Sequence, residues 1–228
     1  MSHFSKRNYA GTWKLARLAI RNDRIRIISW VVGITTLIYS TGASFKEAYP
    51  TVAERVSFAE SVQSNTALKS LYGIAYNPAS VGGLTSWRIL ASSALLVSLM
   101  SLLLMVRHTR TDEEAGRSEL VKATAIGTFS SIASAAIATM VPNALLMVTV
   151  AASLMSLGLP FGGSLLFGVG LMCTGVVFMG IAAITAQLSS TGRGAAGMAG
   201  MLLGFMFIVR CIADGLESSV AWASPISW

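Results

Sequence analysis

Five long apolar blocks decide what this chain can fold into. They run from about Ile27 to Ser44, Leu84 to Val106, Phe129 to Leu157, Phe161 to Leu188 and Ala195 to Ala213. A helix needs roughly 20 mostly apolar residues to cross the ~30 Å hydrocarbon core of a bilayer. A single soluble core would set its apolar residues in amphipathic stripes, and these blocks are too long for that. Charge agrees: 12% of the residues are Asp, Glu, Lys or Arg, against about 25% in a soluble domain. The expected fold is all-α, a polytopic transmembrane helical bundle forming a single transmembrane domain over residues 1–228.

The formal net charge is +7, which raises nucleic acid as a partner, but the placement of the charges excludes it. Lys6, Arg7, Lys14, Arg17, Arg21, Arg24 and Arg26 precede the first block, and Arg107, Arg110, Arg117 and Lys122 follow the second. Clusters that flank apolar blocks are what cytoplasmic loops carry under the positive-inside rule. With Arg193, one side holds twelve cations; Lys46, Arg55, Lys69, Arg88 and Arg210 give the other side five. The N terminus is therefore expected in the cytoplasm and the protein in a bacterial plasma membrane, with the end of the fifth span outside. The first 26 residues are too charged for a cleavable signal peptide, so the first block is expected to stay as an anchor. Cys173 and Cys211 lie inside apolar blocks and read as two small buried hydrophobes.

Between the blocks the polar segments have their own grammar. From about Thr12 to Ile28, Trp13, Leu15, Leu18, Ala19 and Ile25 interleave with Lys14, Arg17, Arg21 and Arg24. That pattern fits an amphipathic helix lying in the membrane interface over residues 1–26, or a basic anchor before a span. Residues 45–83 form the long extracytoplasmic loop. There Thr51-x-x-Glu54 after Pro50 makes a capping box, and Val52, Val56, Ala59 and Val62 follow at helical spacing. A second short helix is expected from Asn65 to Leu71, with turns at Tyr72-Gly73, Asn77-Pro78 and Gly82-Gly83. Gly168, Gly170, Gly175 and Gly180 in the fourth block and Gly197, Gly200 and Gly204 in the fifth let helices approach closely. They serve packing within the bundle or a seam to a second half. Pro142 interrupts the third block and removes one helical hydrogen bond.

The inventory for chemistry is nearly empty. His3 sits near a terminus and His108 at a membrane edge, with no carboxylate set to orient a catalytic pair. No His, Cys, Asp and Glu have metal-ligand spacing. No acidic residue lies centrally in a block, which weighs against a proton- or sodium-coupled carrier. None of the five lysines follows a glycine, so the Gly-Lys of a phosphate-binding loop is missing. No cofactor is expected in this chain; ATP and magnesium, if used, bind a partner. Arg210, at the edge of the fifth block, is expected to snorkel outward or to contact cargo.

The densest charge run is residues 107–127. Thr111 and Glu114 make a second capping-box pattern, with acids in the first turn where the helix dipole favours them. The run Thr109-Arg110-Thr111-Asp112-Glu113-Glu114-Ala115-Gly116-Arg117-Ser118-Glu119-Leu120 resembles the cytoplasmic signature of ABC-2 type permeases. More narrowly, it is similar to permeases described as polyketide or tetronasin antibiotic exporters, a type V exporter-like fold. The stretches Arg21-Asn22-Asp23-Arg24, Asn65 to Gly73 and Ser224-Pro225-Ile226-Ser227-Trp228 fit the same pattern.

The resemblance implies that the N-terminal helix, with Arg17, Arg21, Asp23 and Arg24, is an interfacial connector. It implies that Asp112, Glu113, Glu114, Gly116, Arg117 and Glu119 dock on an ABC ATPase subunit dimer. The cargo would be a hydrophobic or amphipathic small molecule. Such permeases have six spans per half and two halves, so these five spans are expected to be an N-terminal half that meets a second half or a copy of itself. Two other readings stand beside it: a non-transporting accessory membrane protein, and a secondary carrier driven by an ion gradient.

Overall fold

In the computed structural model, residues 8–114, 127 and 129–227 are described. They form helices joined by short turns, with no strand among the described residues. Three short helices and five long ones carry the architecture. Helix α1 is Thr12–Asn22 and α2 is Arg24–Ala48; α3 (Val52–Gln63) and α4 (Thr66–Tyr72) form a cap; α5 is Val81–Val106; α6 is Ser130–Ser156, α7 Phe161–Leu188 and α8 Gly192–Gly215. Helices α2, α5, α6, α7 and α8 are long and apolar enough to span a membrane. In hydrocarbon no water is present to satisfy backbone groups, so each span must close its own hydrogen bonds as a helix.

The helices run beyond the apolar blocks because their caps lie outside them. Helix α5 begins at Ser80, whose Oγ accepts from Gly83 N at 2.9 Å. Helix α8 begins at Thr191, whose Oγ1 accepts from Gly194 N at 3.1 Å. At the far end of α6, Lys46 Nζ donates to Leu157 O at 2.7 Å and satisfies an end carbonyl. A helix of 27 residues such as α6 is about 40 Å long at about 1.5 Å per residue, so its ends reach the headgroup layers.

Helix α5 is the centre of the bundle and the most buried of the five, while α8 is the least. Helices α2, α6, α7 and α8 pack round α5, and α1 lies against the start of α6. Val97, Met100, Leu102 and Met105 of α5 meet Leu146 and Val150 of α6 and Leu171 and Phe178 of α7 in one apolar core. Close approach of α7 to α6 needs glycine. A Cβ on Gly168 would stand 2.7 Å from Met147 O, and one on Gly175 would stand 1.9 Å from Asn143 Oδ1. The hydroxyls of Ser98 and Thr139 bond back to carbonyls four residues earlier, at 2.7 and 3.0 Å, which keeps them satisfied inside the bundle.

The cap is an aromatic cluster. Phe45, Tyr49, Phe58, Tyr72 and Trp87 surround Ala59 and Leu84, with Tyr49 and Phe58 centroids 4.7 Å apart. The Thr51 capping box forms: Glu54 N donates to Thr51 Oγ1 at 3.3 Å and Thr51 N to Glu54 Oε2 at 3.1 Å. Asn65 Oδ1 caps α4 through Ala67 N and Leu68 N. Buried Arg55 donates to the carbonyls of Ala79, Tyr49 and Pro50 at 2.8, 2.8 and 3.0 Å, tying both ends of the loop together.

Candidate functional site

Polar side chains gather at three levels of this apolar bundle. At the face where α1 lies, the chain between α1 and α2 turns at Asp23, the only acidic residue before Glu47. The amphipathic helix expected over Thr12 to Ile28 is thus divided, and Asp23 is drawn inward to 3% exposure. Its carboxylate accepts from Arg107 Nε at 2.9 Å and from Arg26 Nη1 at 3.0 Å, and His108 Nε2 lies 3.1 Å away. One carboxylate therefore clamps the start of α2 to the end of α5. Arg17, Arg21 and Arg24 are exposed, as are Trp13 and Leu18, an arrangement that suits a helix lying on a membrane surface.

From Arg107 to Thr111 helix α5 widens into a π-helical turn, then continues as an α-helical turn through Asp112–Glu114. The capping box expected at Thr111 does not form, because Thr111 sits within helical backbone and is no N-cap. Glu114 caps a different helix: its Oε2 accepts from Gly192 N, the first residue of α8, at 2.9 Å. Negative charge there meets the positive end of the α8 dipole. Gly192 permits this approach, since a Cβ would stand 2.6 Å from Thr111 Oγ1. Asp112 Oδ2 lies 3.9 Å from His108 Nδ1, and Glu113 belongs to the same turn. Gly116, Arg117 and Glu119 lie outside the described residues.

Midway along the spans, Asn143 is wholly buried. Its Nδ2 donates to Ser101 Oγ at 2.9 Å and to Thr139 O at 2.9 Å, next to Pro142. Thr35 and Thr149 hydroxyls join α2 to α6 at 2.9 Å.

At the opposite face, Arg210 does not snorkel. It is 4% exposed; its Nε lies 3.0 Å from Asp214 Oδ2 and its Nη1 donates to Leu71 O at 3.0 Å. Asp214, one helical turn on, supplies the countercharge that holds the guanidinium inside. Gly73, at φ 83, closes over the pair, where a Cβ would stand 2.8 Å from Arg210 Nη2. Trp87 Nε1 and Gln63 Nε2 both donate to Gly73 O, at 2.8 and 3.0 Å. Lys69 pairs with Glu217 beyond the end of α8, and that hydrogen bond, with the ammonium charge, holds the Glu217 carboxyl below the ordinary range. The cap is thus latched to α8.

Gly197, Gly200 and Gly204 meet none of this. A Cβ at each would find no atom within 4 Å, so their face of α8 points out of the chain, with Met201, Phe205 and Ile208 also exposed. Cys173 too is exposed rather than buried, and Cys211 is half-buried. Sequence reasoning missed the partners of Asp23 and the Arg210–Asp214 pair. The latter had a signal, an i,i+4 opposite-charge spacing at a helix end.

Four apolar helices around a central fifth, a charged turn at one face and a latched aromatic cap at the other define a multi-pass helical membrane protein. The chain is 32% identical over 221 residues, or 96% of its length, to a multidrug efflux system permease protein of Mycobacterium tuberculosis. It spans 40% of that relative's length. No family model matches the chain. The five apolar helices fit a multi-pass permease such as that relative.

Proposed function

We propose that these residues are the membrane-spanning part of an efflux permease that exports hydrophobic or amphipathic small molecules, driven by ATP hydrolysis in a separate ATPase. The similarity to a multidrug efflux permease over 96% of the chain carries this reading. Twelve cations against five support a cytoplasmic α1 face. The ATPase dimer docks on the segment that carries Asp112, Glu113, Glu114, Gly116, Arg117 and Glu119. ATP and magnesium belong to that partner. A second half, or a second copy, completes the cargo route, and the outward glycines Gly197, Gly200 and Gly204 offer it a surface of close approach.

The geometry supports a route for the motor's stroke. The charged turn continues α5 without a break, and Glu114 grips the first residue of α8. A push on the turn therefore moves two spans at once. Protein purified in detergent is expected to bring ATPase activity with it, and the Glu114→Ala/Arg117→Ala double variant to lose at least half of it while its thermal midpoint falls by no more than the loss of one helix cap, about 1 kcal/mol, brings. An intact protein with no co-purifying ATPase would sink the exporter reading.

A further inference from the structure

On the α1 face, an open cavity of about 460 Å³ lies between the ends of α2, α5 and α8. Three guanidiniums from three helices line it: Arg26 on the first turn of α2, Arg107 at the end of α5 and Arg193 on the first turn of α8. Trp30, Leu103 and Leu104 form the wall one turn deeper into the spans. We propose that this cavity is a binding site for one anionic phospholipid, its phosphate among the three arginines and its acyl chains along Trp30 and Leu103.

Charge and position single out that occupant. The guanidiniums stand at the ends of long apolar helices, where helices of that length meet lipid headgroups. Arg26 and Arg107 spend one side on Asp23, yet their side chains remain 53% and 37% exposed, with donors left over from the five each guanidinium carries. Arg193 is exposed and makes no ion pair with another described residue. Guanidinium forks match phosphate oxygens. The apolar wall continues directly from the charged rim, and Leu103 is 42% exposed. A soluble phosphate would leave that wall unused, whereas a lipid covers both parts. Basic pockets between spans on one membrane face are suited to acidic headgroups. Glu114 occupies the α8 N-terminus at the cavity edge, so the phosphate is held by side chains and not by the helix end. The assignment stands independently of export and of any ATPase.

The experiment is native mass spectrometry of the detergent-purified chain offered equal amounts of phosphatidylglycerol and phosphatidylcholine. One phosphatidylglycerol is expected to stay bound in preference to phosphatidylcholine. Arg26→Gln/Arg193→Gln is expected to weaken that adduct about tenfold, and Arg17→Gln/Arg21→Gln, which removes equal charge from the same face outside the cavity, to leave it within about twofold. Ala196→Phe, which fills the cavity without touching its charge, is expected to lose the adduct too and stands in if the arginine variant does not fold. Equal retention of the two lipids, equal losses in both arginine variants, or displacement of the adduct by millimolar inorganic phosphate would each overturn the site.

Discussion

Single residues in this protein matter through what stands within one atom of them. Gly175 and Gly180 lie in the same helix and are identical in sequence terms, yet their surroundings are opposite. A Cβ at Gly175 would stand 1.9 Å from Asn143 Oδ1 and 2.9 Å from Ser101 Oγ, whereas one at Gly180 would meet nothing within 4 Å. Gly175→Ala must therefore push α7 off α6 and break the Asn143–Ser101 hydrogen bonds, a loss of about 2 kcal/mol. Gly180→Ala gains helix propensity and is expected to be neutral or stabilising by up to about 1 kcal/mol. Thermal unfolding of both variants in one detergent separates them; equal midpoints would contradict the packing described. Asp23 teaches the same lesson by charge. In sequence it is one acid among seven cations, and in the fold it is the joint of α1, α2 and α5.

At the scale of elements, the cap is the part whose behaviour depends on one pair. Helices α3 and α4 are short, and helices of 12 and 7 residues are marginal on their own. Their own caps fix where they start, but their position over the spans comes from Arg210, Asp214 and Trp87. Arg210→Met leaves Asp214 buried without its cation and Leu71 O without that donor. The expected cost is about 3 kcal/mol, concentrated in the cap. Hydrogen exchange of the α4 amides is expected to speed up at least tenfold, while α6 and α7 amides stay protected. Uniform acceleration across all five spans would show that the pair holds the bundle and not the cap.

For the whole molecule, orientation is the property on which the functional reading turns. With both native cysteines replaced by alanine, Arg17→Cys is expected to react with a membrane-impermeant maleimide only from the cytoplasmic side. Glu60→Cys, on the exposed face of α3, is expected to react only from the outside. The reverse pattern would turn the charged turn away from any cytoplasmic ATPase and exclude the proposed docking.

The sequence by itself determined the spans, the capped helices of the loop and the bias of cations to one face. These are local or summed quantities: the length of an apolar run against the thickness of hydrocarbon, a hydroxyl three residues from a carboxylate, a count of charges. Only the tertiary structure decided which polar groups meet. Arg107 reaches Asp23 across 84 residues, Glu114 reaches Gly192 across 78 and Arg210 reaches Leu71 across 139. Nothing in spacing announces such pairs. Where a buried charge or helix end must find a partner, the choice is made by which helix ends the packing brings to the same depth. The same holds for the glycines, alike in sequence and sorted by packing into those that seat α7 on α6 and those that leave one face of α8 open.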